Sequence, residues 1–297
     1  MGIDLADIRD EYPFTPKRID INGHQLSYLD EGPEEAPVIL ALHGNPTWSF
    51  YYRKLALALR GEFRVIAPDH MGCGLSDKPQ DYDYTLKTHI GNLSALVAKL
   101  KLERFTLAVH DWGGAIGFGH AIRNPEMVKS IIIFNTAAFP STDVPMRIKV
   151  CAWPYVGEFL VRKLNAFAGG AINLKMATNK PERLTHTVKQ GYLGPYDSPE
   201  NRIAIARFVQ DIPMSPAHPT YRLVENIGDN LKIFENTPSL ALWGMKDFCF
   251  HEGFLKEWLK RLKNVEAHML TNAGHLALED AHEEIIPFIK AFLERTQ

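Results

Sequence analysis

Short, largely apolar runs punctuate the chain at residues 37–42, 63–67, 105–109 and 131–134. Runs this short, apolar without alternation, read as strands buried on both faces of a parallel sheet. Between them, residues 51–59 and 85–100 carry apolar side chains at helical spacing. Residues 17–22 and 24–30 alternate around Gly23 and predict a leading hairpin. Strands and helices in rotation predict an α/β fold, a doubly wound parallel sheet with its site at the strand carboxyl ends. From residue 141 to about 236 no buried-strand run appears. Helical segments are broken there by Pro154, Gly169-Gly170, Gly194-Pro195, Pro213, Pro216 and Pro219. The sheet resumes at residues 239–243 and 265–270, and a closing amphipathic helix covers 283–295. Two units are therefore expected: a core from 1–139 and 237–297, and a helical cap over 140–236.

The central strand leads into His110-Asp111-Trp112-Gly113-Gly114. A strand that turns sharply into a helix needs small residues where the backbones approach, and Gly113 and Gly114 supply them. The apex residue stands at the sheet's carboxyl end above a helix N-terminus. Serine is usual there; here the residue is Asp111. A carboxylate is ionised near neutral pH without help from a base, and the helix end favours the anion further. It can displace a leaving group from saturated carbon to give an alkyl ester, which water then cleaves with a base and an oxyanion site. The bland alternative, an acidic helix cap, loses weight once the partners are added.

Those partners sit at three other strand ends. His43-Gly44-Asn45-Pro46 follows the 37–42 strand. The backbone N–H groups of Asn45 and Trp112 would form the oxyanion hole, and the Asn45 amide and Trp112 indole add neutral donors suited to a halide. Ala273-Gly274-His275 follows the last strand and offers a base. For the acid that orients His275, one strand end offers Asn135, an amide, and another offers Asp247. A neutral amide does not stabilise an imidazolium, so Asp247 is the acid. Asp111, Asp247 and His275 are the catalytic candidates. The histidines show no zinc-type spacing, and neither a metal nor a cofactor is called for.

The chain has 297 residues, 45% hydrophobic, with a formal charge of −2. That is length enough for a large core, and the near-neutral balance gives no reason to expect nucleic acid or an anionic membrane as partner. Cys73, Cys151 and Cys249 are few and odd in number, which suggests reduced thiols and a cytoplasmic protein. The first residues have neither a basic start nor an apolar run, so no signal peptide is expected, and no apolar run is long enough to span a membrane.

The four motifs together resemble the haloalkane dehalogenases of the α/β-hydrolase superfamily, and the Asn45–Trp112 pair with the acid at Asp247 resembles the third subfamily. Asn135-Thr-Ala-Ala-Phe-Pro140, Phe208-Val-Gln-Asp-Ile-Pro213 and Gly194-Pro-Tyr-Asp197 look like the β-lactone decarboxylases of olefin biosynthesis. The resemblance implies an eight-stranded, mostly parallel sheet with an inserted cap. It implies Asp111 as nucleophile, His275 as base, Asp247 as acid, and Asn45 and Trp112 as halide or oxygen donors. It also puts Phe139, Phe208 and Val209 in the substrate pocket. One departure is Val109, which stands two before the nucleophile where the usual elbow has a small residue. The leading expectation is carbon–halogen cleavage of a small apolar haloalkane, releasing halide and alcohol. The alternative is decarboxylation of a cis-β-lactone with the same triad. An epoxide hydrolase using Tyr155, Tyr192, Tyr196 or Tyr221 ranks third, followed by a non-catalytic binder of apolar ligands. Oligomeric state is not legible.

Overall fold

The computed structural model describes residues 3–296. Its frame is one eight-stranded sheet, ordered β1-β2-β4-β3-β5-β6-β7-β8. The strands are β1 (Lys17–Ile21), β2 (His24–Glu31), β3 (Val38–Leu42), β4 (Arg64–Pro68), β5 (Phe105–Asp111), β6 (Val128–Thr136), β7 (Ser239–Gly244) and β8 (Val265–Leu270). The leading hairpin forms as expected, and β2 pairs antiparallel with β4. The remaining pairs are parallel.

Each unalternating run is a central strand, because alternate side chains feed two different apolar layers. Ile39 and Ala41 of β3 enter one layer; Leu40 and Leu42 enter the other. Likewise Ala108 and Ile132 face one side, and Leu107, Val109, Ile131 and Ile133 the opposite side. Strands wetted on neither face must be apolar except where a polar side chain finds a partner, as buried Thr106 and Ser130 find each other at 2.8 Å.

The sheet's helices are α1 (Arg53–Leu59), α2 (Leu86–Lys99) and α3 (Trp112–Ala121) before the long helical segment. Two more, α10 (Glu252–Arg261) and α11 (Ala277–Thr296), follow it. The closing helix begins earlier than its sequence pattern suggests and bends at Ala281, whose backbone leaves the helical region. Between β6 and β7 the described residues form helices and no strand: α4 (Met146–Ala152), α5 (Val156–Glu158), α6 (Ala168–Ile172), α7 (His186–Leu193), α8 (Ile203–Gln210) and α9 (Tyr221–Asn230). A π-helical turn, Phe159–Lys163, continues α5. Among the described residues no helix is long and apolar enough to cross a membrane.

Candidate active site

Asp111 ends β5 and caps α3, with φ 52° and ψ −125°. A non-glycine residue held there costs roughly 1–3 kcal/mol, and it persists only where its surroundings enforce it. Three features enforce it here. The β5–β6 register slips by one residue between Val109 and Asp111, which turns the strand end outward. The Thr136 hydroxyl donates to the Asp111 carbonyl. The third feature is room: a Cβ on Gly113 would lie 2.0 Å from the Leu42 carbonyl oxygen, so only glycine lets α3 approach β3. The bulk of Val109 is met in the same way, since Gly117 leaves the space its Cγ1 approaches.

The Asp111 carboxylate leans over the turn after β3. Its Oδ1 accepts the Asn45 backbone N–H at 2.6 Å. Gly44 is obligatory beneath it, because a Cβ there would sit 2.1 Å from that same oxygen. Burial pushes the Asp111 carboxyl above its ordinary range, opposed by the His275 charge and by the N–H groups of Asn45 and Trp112. The helix end and oxyanion donors therefore do not depress this carboxyl outright; they offset the cost of burying it.

His275 stands opposite. Its Nε2 is 3.8 Å from Asp111 Oδ2, and its Nδ1 is 2.8 Å from Asp247 Oδ2. The other Asp247 oxygen accepts the Cys249 N–H at 2.7 Å, which fixes the carboxylate. Burial works against a charged His275 ring, but Asp247 and Asp111 together outweigh it and raise its pKa. The ring is further held from behind: His110 Nε2 lies 2.9 Å from the His275 carbonyl oxygen and its ring stacks on Tyr51. Asn135 is not part of this line. Its side chain takes the Gly244 N–H at 2.8 Å and returns a hydrogen bond to the Gly244 carbonyl at 2.9 Å. It thereby ties the end of β6 to the end of β7, the strand that delivers Asp247.

Two apolar cavities meet at Asp111, and Asn45, Ile148, Phe167 and Cys249 border both. The first arm, about 90 Å3, runs past Ala171, Ile172, Tyr192 and His275. The second, about 120 Å3, runs past Trp112, Phe139, Val209 and Val224. The Asn45 amide gives one hydrogen to the Ile205 carbonyl at 3.2 Å and has a second for a ligand. Trp112 leans on Phe208, with ring centroids 5.4 Å apart. Of the three pocket residues expected from the motifs, Phe139 and Val209 line the second arm. Phe208 borders neither arm and instead stacks on His89, centroids 4.4 Å apart. Ile148, Phe167 and Cys249, at the junction, were not legible in advance. Neither was His110, whose place in the motif gave no hint of its hold on His275.

A carboxylate, an imidazole, a second carboxylate behind it and neutral donors surround one largely apolar junction. That arrangement can alkylate the first carboxylate and stabilise the anion that leaves.

Comparison with known proteins agrees with this architecture. Residues 37–282 match the model of the α/β-hydrolase fold family. The chain belongs to the α/β-hydrolase family. Within that family it is 43% identical to a cis-3-alkyl-4-alkyloxetan-2-one decarboxylase of Shewanella oneidensis, covering 96% of this chain and 90% of the relative. It is 31% identical to haloalkane dehalogenase 2 of Mycobacterium tuberculosis, over 96% and 97%. The crystal structure of a haloalkane dehalogenase from Agrobacterium tumefaciens superposes with a TM-score of 0.83 at 27% identity, covering 95% of this chain and 97% of that one.

Proposed function

We propose that this protein decarboxylates cis-β-lactones bearing two alkyl chains, with Asp111 as nucleophile and residues 140–236 as the cap over it. The observation that carries this reading is the pair of apolar arms diverging from one carboxylate. A 3,4-dialkyl lactone presents one reactive ring between two hydrocarbon chains, and it fits a forked cavity better than a single slot does. The greater identity to the Shewanella decarboxylase supports the same choice and reverses the order suggested by the sequence motifs.

In this reading Asp111 attacks the ring carbon bearing oxygen. That C–O bond breaks, an alkyl ester forms on Asp111, and the ring oxygen departs within a free carboxylate. Asn45 and Trp112 hold that carboxylate. The carbon–carboxylate bond then breaks, its electrons form the alkene, and Asp111 leaves as carboxylate while carbon dioxide is released. Atoms and charge balance without water. Inversion in the first step and anti elimination in the second turn a cis lactone into a cis alkene. His275, held charged by Asp247, stabilises the departing Asp111.

Haloalkane hydrolysis is the second reading, favoured by the neutral Asn45–Trp112 donors beside Asp111. There His275 activates water against the same ester. The epoxide reading loses ground. Tyr192 borders the first arm, but its hydroxyl donates to Glu279 at 3.0 Å. The Tyr196 hydroxyl bridges Thr47 and Gly74, and Tyr155 is exposed. The test is direct: a cis-dialkyl-β-lactone and a bromoalkane are each given to the protein. Alkene without bromide selects decarboxylation, bromide without alkene selects dehalogenation, and neither product sinks both.

A further inference from the structure

The helical segment bears a surface feature that the chemistry at Asp111 does not use. Among the described residues eleven large apolar side chains are exposed, and seven of them lie between Met146 and Leu174. Tyr155 is 90% exposed, Phe159 55% and Trp153 53%. Isolated exposed apolar residues need no explanation, but a concentration of them in one stretch does.

The local backbone presents these side chains rather than hiding them. Tyr155 has φ 58° and ψ −56°, and the Val156 N–H reaches back to the Pro154 carbonyl. This is the strained, left-handed form of γ-turn, which few non-glycine residues adopt. It projects an aromatic ring into solvent, with Trp153 two residues before it. Val156, Phe159 and Lys163 then follow at helical spacing, while Val161 is buried.

Charge singles out the same stretch. Residues 146–174 hold four cations, Arg147, Lys149, Arg162 and Lys163, against one acid, Glu158, in a chain of net charge −2. Glu158 is taken up by Arg162 and Arg207. Aromatic and aliphatic side chains interleaved with lysines are the pattern of a surface lying in the headgroup region of an anionic bilayer. A second protein molecule would be expected to bring acids opposite these lysines as well as bury the apolar groups. The whole-chain balance had given no reason to expect such a partner; the asymmetry is local.

The opposite side of this stretch is the wall of the substrate cavity. Ile148, Cys151, Phe167 and Ile172 line the first arm. We propose that residues 146–174 are a membrane-docking surface, which seats the protein on an anionic lipid bilayer with the first arm of the cavity directly behind the contact. The choice of lipid as occupant rests in part on the reading above: a lactone with two alkyl chains partitions into the bilayer, beside the cavity arm that this stretch walls. A cytoplasmic membrane face, which is anionic, supplies the matching charge.

The probe is a vesicle, with no substrate present. Full-length protein is sedimented with vesicles of equal parts phosphatidylglycerol and phosphatidylcholine, and with phosphatidylcholine alone. Binding is expected to the anionic vesicles, at least about tenfold weaker to neutral ones and weakened by high salt. Trp153 is the exposed one of the five tryptophans, so its emission should shift to the blue on binding, and Trp153→Phe should remove most of that shift. The combined Tyr155→Ser and Phe159→Ser variant, and the Lys149→Glu and Lys163→Glu variant, should each lose binding by about tenfold or more while keeping the wild-type circular dichroism. Wild-type protein left in the supernatant with both vesicles overturns the proposal. So does capture that these substitutions leave unchanged, or a dimer in solution that the same substitutions dissociate. Because no turnover is measured, lactone decarboxylation can fail while docking stands, and docking can fail while decarboxylation stands.

Discussion

Asp280 Oδ2 accepts the backbone N–H of Gly274 at 2.7 Å, gripping the residue that precedes His275. The same buried carboxylate accepts the N–H of Asn179 at 2.8 Å, the N–H of Lys180 at 3.2 Å and the Thr178 hydroxyl. Leu276 adds a backbone bond to Ala177 at 2.8 Å. One carboxylate thus fastens the His275 loop to the helical segment between β6 and β7. Asp280→Ala leaves four donors without their acceptor and is expected to cost about 3–5 kcal/mol in urea unfolding. Asp280→Asn keeps one acceptor oxygen and should cost less.

Asp111→Asn is expected to lower turnover of the true substrate by roughly ten-thousand-fold, because the proposed nucleophile is removed while the cavity remains. His275 separates the two chemistries. With a bromoalkane, His275→Gln should accumulate an alkyl ester on Asp111, seen as added mass on the intact protein. With a lactone the ester collapses without water, so the same variant should retain alkene formation, reduced by about ten- to a hundredfold. A bromoalkane that leaves no adduct on His275→Gln argues against Asp111 as the attacking group.

His275 should titrate above the ordinary histidine range, because Asp247 and Asp111 outweigh the burial that disfavours its charge. Asp247→Asn removes the nearer anion. The imidazole titration followed by nuclear magnetic resonance is then expected to move to lower pH. A titration unmoved by that substitution means that Asp247 does not hold the ring's charge.

Acid should weaken the fold through its interior histidines. His43, His70, His89 and His110 are buried, and burial lowers the pKa of each, that of His70 to about 4. A depressed folded-state value means that the unfolded chain takes up more protons as pH falls from about 6.5 toward about 4. Stability is intact above that window and declines through it. For His70 alone the loss between pH 8 and pH 5 is about 2 kcal/mol. Urea midpoints at several pH values check this, and His70→Phe should flatten the slope.

The two arms should be separately adjustable. Ala171→Leu narrows the first arm and Ala115→Leu the second. Each is expected to lower kcat/KM for a lactone with two long chains by about tenfold or more. Each should spare lactones with one short substituent, whose short chain can occupy the narrowed arm. The ratio of rates across a set of unsymmetrical lactones reports it.

The sheet was legible because a strand buried on both faces is apolar without alternation, and the runs ending at Leu42, Val109, Phe134 and Trp243 are so apart from Thr106 and Ser239. The strand ends then showed where Asn45, Asp111, Asp247 and His275 would gather, since a parallel sheet delivers such ends to one edge. Phe208 and Val209 mark where that legibility stopped. They are consecutive on α8, so their side chains point about 100° apart and only one faces the cavity. Sequence does not say which, because the choice depends on how α8 rolls against the sheet. The forked cavity was hidden for the same reason: Ile148 and Phe167 come from different helical pieces whose packing carries no periodic signal. The grip of Asp280 left no trace either, since three of its four donors lie about a hundred residues away.

Asn135 decides which strand end can carry an acid. A carboxamide there both receives from and gives to Gly244, and an aspartate could only receive, leaving a carboxylate pressed against a carbonyl oxygen. Moving the acid proposed to orient His275 to the β6 end would therefore demand at least two simultaneous replacements. Between them lies an intermediate with two buried acids or none. No single substitution at Asn135 or Asp247 therefore relocates the acid from one strand end to the other.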